Sequence, residues 1–248
     1  MWDEVYADIR NKIGELSQLG RNRLFFRGQS DSDWLLLPAL ARERLKNVDL
    51  VEHRLFFDFT VRAGTLLPAS NNAWTTIFAM QHHGIPTRLL DWTETFAVAL
   101  YFAIKGATKD AAIWMLQPWR LNKNTIDRQA ILEPTELAAD YLYYYGEPRR
   151  PLPGNVIALS PLRQNPRISQ QRSGFTLHDD LDNPLEVLHP DVAVKIVVPR
   201  ACHRAARQFL TLAGVSEFTL FPDLDGLARE LTELHVTHEP RAPRPNSA

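Results

Sequence analysis

The sequence of 248 residues is 45% hydrophobic, 23% charged and 10% aromatic, the proportions of a globular chain, which excludes a disordered one. Its 28 Lys and Arg stand against 29 Asp and Glu, a net charge of −1, so no general field draws it to nucleic acid or anionic membrane. A local basic patch stays open. The single cysteine, Cys202, excludes an intrachain disulfide framework and nearly excludes a Cys-based zinc or iron–sulfur site. The longest apolar run, Phe96 to Ile104, is too short to span a bilayer, and the acidic residues Asp3 and Glu4 do not fit a signal peptide. A cytoplasmic chain without membrane contact is expected.

Trp2, Val5, Ile9, Ile13 and Leu16 recur at spacings of three and four, which predicts an amphipathic helix ending near Gly20. Leu24-Phe25-Phe26 reads as a strand stopped by Arg27-Gly28. Leu50 to Ala63 reads as a helix. Asn71-Asn72 can cap another from Ala73 to His83, closed by Gly84. Arg88-Leu89-Leu90 reads as a brief strand, Thr93 or Thr95 caps a helix through Ala103, and Ala112 to Leu116 follows as a strand. A helix is expected within Pro134 to Tyr145. Val156 to Leu159, Gly174 to Leu177 and Val192 to Val198 are expected strands, and Ala201 to Ala213 and Asp223 to Leu234 expected helices. The Pro-rich tail, residues 238–248, is expected to be disordered. The sum is one α+β domain, a mixed sheet flanked by helices, with an N-terminal helix over residues 1–20 and the main domain over 21–237.

Three stretches are denser in polar groups than packing requires. In the first, Phe26-Arg27-Gly28-Gln29-Ser30, an arginine after a buried strand can aim its guanidinium into a cleft, where it suits a phosphate or carboxylate. The glycine would let a ligand approach the backbone. The alternative is a salt bridge that pins the strand end. The second, Gln81-His82-His83-Gly84-Ile85-Pro86-Thr87-Arg88-Leu89-Leu90-Asp91-Trp92-Thr93, sets many hydrogen-bonding groups between apolar helices. They must satisfy one another or a ligand. Asp91 taking bonds from Arg88 or from backbone amides is the structural alternative. His82 and His83 point about 100° apart on a helix and so make a poor metal pair. The third, Asn165 to Thr176, reads as a polar loop entering a strand. Cys202 is either a helix-start thiolate or a half-buried structural residue. The run Tyr141, Tyr143, Tyr144, Tyr145 beside Arg149-Arg150 can stack on a base or cover the core.

Taken together these stretches resemble the FRG domain family, named for its Phe-Arg-Gly motif. Phe26-Arg27-Gly28-Gln29 and the Gln81 to Thr93 stretch carry the likeness, with Ala99-Leu100-Tyr101-Phe102-Ala103, Arg167 with Gln171, Phe175-Thr176, and Leu220 to Gly226 as further matches. A more distant resemblance is to ADP-ribosyltransferases of the Arg–Ser/Thr–Glu type. Those enzymes place an arginine at a first strand, a Ser or Thr at the end of a second that is followed by a helix and strand, and a Glu or Gln on a third. Arg27, Thr93 and Gln171 take those places in order.

This second resemblance implies an ADP-ribosyltransferase-like fold and an NAD-consuming enzyme, either a transferase to a protein or nucleic-acid acceptor or an NAD glycohydrolase. Arg27, Thr93 and Gln171 would be catalytic, with Asp91 and His82 shaping the pocket or accepting protons. NAD would be bound by Arg27, Gly28, Gln29, Arg88, Trp92 and Tyr101. Gln171 is neutral where that family has a glutamate, so Asp91, Asp179 or Asp180 would have to supply the charge beside the oxocarbenium-like ribose. Bacterial enzymes of this sort serve as toxins or phage-defence effectors, which implies an antitoxin as a partner. The alternatives are a non-catalytic module for a nucleotide or nucleic-acid end and, third, a nuclease using His82 and Asp91 with a divalent metal.

Overall fold

A computed structural model of the chain describes residues 1–17, 23–67, 72–146, 148–160 and 173–236. The expected first helix is α1, Trp2–Ser17, and its stripe of Trp2, Val5, Ile9, Ile13 and Leu16 packs on the core. Strand β1, Phe25–Gln29, leads to a short helix α2, Ala39–Arg42, and then to α3, Val48–Ala63, and α4, Ala73–His82. Asn72 caps α4 by accepting the Thr75 N–H at 2.8 Å, and Gly84 leaves it at a φ of 78°. The next elements are β2, Leu89–Thr93, α5, Phe96–Ile104, and β3, Ala111–Leu116.

Helix α6, Pro118–Ile126, was not legible in the sequence; its proline sits in the first turn, where a missing N–H costs nothing. The helix expected within Pro134 to Tyr145 divides into a turn of 3-10 helix, Pro134–Glu136, and α7, Tyr141–Tyr145, which Asp140 caps by accepting the Tyr143 N–H. After β4, Val156–Leu159, and β5, Ser173–His178, come α8, Leu185–Leu188, and β6, Ala193–Val198. Three helices close the described chain: α9, His203–Leu212, α10, Glu217–Leu220, and α11, Leu224–His235. The expected tail lies outside the described residues. Among those residues no helix is long and apolar enough to cross a membrane.

The six strands form one sheet in the order β4-β5-β2-β1-β3-β6, and every ladder is antiparallel. The expectation of a mixed sheet is thereby corrected; the one parallel contact among the described residues is an isolated bridge, Leu132 to Leu159. The reason lies in β1. Strands β2 and β3, joined through α5, do run parallel to each other, but β1 lies between them and is antiparallel to both. Sequence shows the strand–helix–strand unit and not the inserted strand.

Register and alternation assign the faces. On one face, α1, α5 and α9 cover β1, β3 and β6 around Phe26, Leu100, Ile113 and Val198. The same face of β2, β5 and β4 is covered by α3, α4 and α7 around Phe56, Ile77, Leu89 and Leu177. The opposite face packs Phe25, Leu90, Trp92 and Trp114 under α6 and α8. The two helical groups on the first face leave a gap above β1 and β2.

Arg27 and Gly28 do not end the first strand, as expected, but lie within it, because all five residues of β1 pair with β3. Nor does Gly28 make room for a ligand. A Cβ there would stand 1.9 Å from the Ala99 carbonyl oxygen and 2.5 Å from the Ala103 nitrogen, so the backbone of α5 rests on it. Gly28→Ala must push a helix off the sheet. It is expected to cost about 3 kcal/mol, the upper end of overpacking, seen as a large fall in the thermal unfolding midpoint; an unchanged midpoint would show that α5 can give way.

Candidate functional site

A cleft of about 360 Å³ opens in the gap between the helical groups, within the range of about 300–1,000 Å³ for small-molecule sites. Its walls are Phe78, Gln81 and His82 of α4 and Val98, Ala99 and Phe102 of α5. Its floor is the middle of the sheet, where β1 and β2 share a single residue pair, Phe26 with Thr93, against five pairs on either outer side. Past that pair the strands part. The Arg27 side chain bridges the opening, and its Nη1 donates to the Asp91 carbonyl oxygen at 2.7 Å.

Arg27 takes part in no ion pair among the described residues, and its Nε is buried without a partner. The salt bridge weighed for it in the sequence is absent there. Burial pushes the guanidinium below its ordinary pKa, the Asp91 charge opposes this, and the Arg42 charge adds to it. By register Arg27 lies beside Trp114, on the face of β1 away from α4 and α5, so it lines the cleft from within the fork of the sheet, with one donor spent on the β2 backbone.

Asp91 projects from β2 into the cleft and is the only carboxylate among its described lining residues. It is oriented by a chain of side chains: the Thr87 hydroxyl donates to the Gln81 amide oxygen, and Gln81 Nε2 donates to Asp91 Oδ2 at 2.6 Å. The alternative in which Arg88 bonds to Asp91 is not realised, since Arg88 turns to Glu52 and Asp49. Thr93, on the same face, has its Oγ1 accepting the Thr95 N–H at 3.1 Å, which turns the chain from β2 into α5. Trp92 points to the opposite face. Its indole N–H donates to Thr176 Oγ1 at 3.0 Å, and Thr176 Oγ1 lies 2.9 Å from His178 Nε2. With the hydroxyl donating onward, His178 carries its proton on Nδ1, which is buried without a partner. Burial, then the Arg27 charge, lowers its pKa to about 3.

Seven sequence-derived residues therefore meet in one cleft: Arg27, Gly28, Gln29, His82, Asp91, Trp92 and Thr93. Gln29 is there as structure, since its amide donates to the Leu35 carbonyl at 3.2 Å and accepts from the Trp114 indole at 2.8 Å. Two expected NAD-binding residues are elsewhere. Arg88 is 1% exposed and locked to Glu52 and Asp49 at 2.5 Å each, with Tyr145 under its guanidinium. Tyr101 donates to Glu217, which also takes bonds from Lys105 at 2.6 Å and Arg229 at 2.7 Å. Burial pushes that carboxyl up, yet the three donors hold it down at about 2. Both residues pin helices.

Gln171 and the loop to Arg172 lie outside the described residues. Neither Asp179 nor Asp180 lines the cleft: Asp179 pairs with Arg149 at 2.9 Å, and Asp180 caps a turn through Asp182 and Asn183. His82 and His83 have ring planes 89° apart, and only His82 faces the cleft. No group of three His, Cys, Asp or Glu that could hold a metal ion occurs among the described residues. Tyr141, Tyr144 and Tyr145 cover the core, and Cys202 is buried.

Residues 22–112 match the FRG domain. No curated protein and no solved structure matches it. The FRG stretch runs from just before β1 into β3 and contains every described lining residue of the cleft except Phe175. The sheet continues past it to β6, so the matched stretch is not the whole folded unit. Several FRG residues in the cleft were not singled out in the sequence, Trp34 and Phe78 among them. Trp34 is half exposed at the end of a polar loop, an unusual place for a large aromatic and the signal that could have found it.

Proposed function

We propose that the FRG cleft binds NAD and cleaves the bond between its ribose and nicotinamide, passing ADP-ribose to an acceptor or to water. The observation that carries this is a guanidinium without an ion-pair partner among the described residues, set in the fork of a sheet beside Thr93 and one oriented carboxylate. Arg27 would grip the pyrophosphate. The C1′–N bond breaks with its electron pair leaving on the nicotinamide nitrogen, and Asp91 stabilises the cationic ribose with a full charge. The acceptor oxygen or nitrogen then bonds to C1′ and yields its proton to Asp91 or His82.

The order of the parts supports the reading. The strands carrying Arg27 and Thr93 are neighbours in the sheet, and the strand that follows Gln171 in sequence is the next neighbour, with Ser173 paired to Thr93. Two of the three residues of the ADP-ribosyltransferase resemblance, Arg27 and Thr93, thus stand on adjacent strands, and Gln171 lies outside the described residues. A toxin or phage-defence role, with an antitoxin partner, extends the same proposal.

The test is nicotinamide release from NAD by the purified chain, alone and with cell lysate. Arg27→Ala is expected to abolish both NAD binding and release while the thermal midpoint stays within a few degrees, because no ion pair among the described residues is lost. A collapse of stability in the variant would return Arg27 to a purely structural role. Saturable NAD binding by the native chain with no release under either condition would favour a binding module.

A further inference from the structure

The two charges of the cleft are set apart. Arg27 enters through the fork from the far face of the sheet, whereas Asp91 stands on the face that carries α4 and α5. Asp91 is paired in register with Phe175 of β5, so carboxylate and phenyl ring are side by side on that face. Phe78 of α4 packs on Phe175, with ring centroids 5.1 Å apart, and Phe102 lines the facing wall on α5. A carboxylate among phenyl rings suits a flat aromatic cation, whose charge meets the carboxylate while its ring meets the aromatic faces.

The carboxylate is also held from outside the cleft. Thr87 is fully buried and does not line the cleft. The Leu89 N–H donates to its hydroxyl oxygen at 3.1 Å. A backbone N–H can only donate, so the proton of that hydroxyl turns to the Gln81 amide oxygen. The amide is thereby oriented with Nε2 toward Asp91, where Oδ2 accepts. The Thr87 backbone is fixed in turn by the Leu40 N–H, which donates to its carbonyl at 3.2 Å. One unambiguous donor sets the direction of the whole relay, and the relay ends on a carboxylate in a single orientation.

We infer that the Asp91 side of the cleft is a subsite for a planar aromatic cation, and that Thr87, acting through Gln81, is a positioning residue for this preference. The ligand class is a pyridinium; the oxidised nicotinamide ring of NAD belongs to it and the reduced ring does not. This deepens the NAD proposal and rests on it for the identity of the whole ligand. The preference for a cation rests on Asp91, its phenyl neighbours and the relay.

The experiment titrates the full chain with 1-methylnicotinamide and with nicotinamide, the same ring with and without a positive charge, by ligand-observed NMR. Nicotinamide release from NAD is measured in parallel. The native chain is expected to bind the cation about tenfold more tightly, with the difference shrinking as salt is added. Asp91→Asn is expected to bring the two affinities together. Thr87→Val and Gln81→Met, which keep the carboxylate but loosen it, are expected to act in the same direction, while Thr87→Ser retains the preference. Thr87→Val also leaves the buried Leu89 N–H unpaired, so Gln81→Met tests the relay if that variant does not fold. A merely structural Thr87 would lower the thermal midpoint and leave the ratio of affinities unchanged. No binding of the cation by the native chain, or equal affinities for the two rings, overturns the subsite. A preference that survives Gln81→Met overturns the relay. If release persists without any preference, the subsite alone has failed and the NAD proposal stands. A preference lost in Asp91→Asn, with no release from NAD by the native chain, leaves the subsite standing and removes the NAD proposal.

Discussion

Removing the Glu52 side chain is expected to cost the protein about 3–5 kcal/mol of stability, because the buried Arg88 guanidinium loses its buried partner. Glu52 and Arg88 are both sealed from solvent, 36 residues apart in sequence, with Arg88 Nε on Glu52 Oε2 at 2.5 Å. The second carboxylate on Arg88, Asp49, is 48% exposed and screened by water, so it is a poor substitute. Tyr141 donates its hydroxyl to the other oxygen of Glu52 and would be orphaned too. Burial pushes the Glu52 carboxyl up, against pulls from Arg88 and Tyr141. Urea unfolding of Glu52→Ala, Arg88→Met and the double variant checks this. The double variant is expected to be more stable than the sum of the two single losses, since neither charge is then left buried alone. Strict additivity would mean that the pair does not interact as drawn.

The second large effect is a loss of stability in mild acid that traces to His178. The unfolded chain takes up a proton on this residue near pH 6.5, whereas the folded protein refuses it until about pH 3. A base whose pKa is lowered by folding stabilises the fold above its unfolded value, and that contribution is lost as pH falls through this window. The loss is about 2 kcal/mol by pH 5 and approaches about 4 kcal/mol near pH 3. His189, half-buried and also lowered, adds in the same direction. Denaturant unfolding at pH 7 and pH 5 is the measurement, with His178→Gln as control. The variant is expected to lose most of the pH dependence, and native and variant slopes that coincide would place its origin elsewhere. Because His178 and Thr176 brace Trp92 between Asp91 and Thr93, nicotinamide release is expected to fade over the same pH range.

The sequence by itself determined most elements and the neighbourhood of the site. Helical spacing along α1 and α3, the cap at Asn72 and the glycine stop at Gly84 are local physics, and each was where periodicity put it. The Phe26 to Ser30 and Gln81 to Thr93 stretches stood out because polar groups among apolar helices need partners, and they do converge on one cleft. What each residue does there was decided only by tertiary structure. Arg27 and Arg88 look alike in sequence, each beside a strand in a polar stretch. One faces a cleft and the other a glutamate 36 residues away, and nothing local distinguishes them. Gly28 reads as a place for a ligand until α5, seventy residues downstream, is seen to lie on it. Parallel strands with a third between them and a fork with one pairing are properties of long-range neighbours. Periodicity reports which side of an element is buried, and never against what.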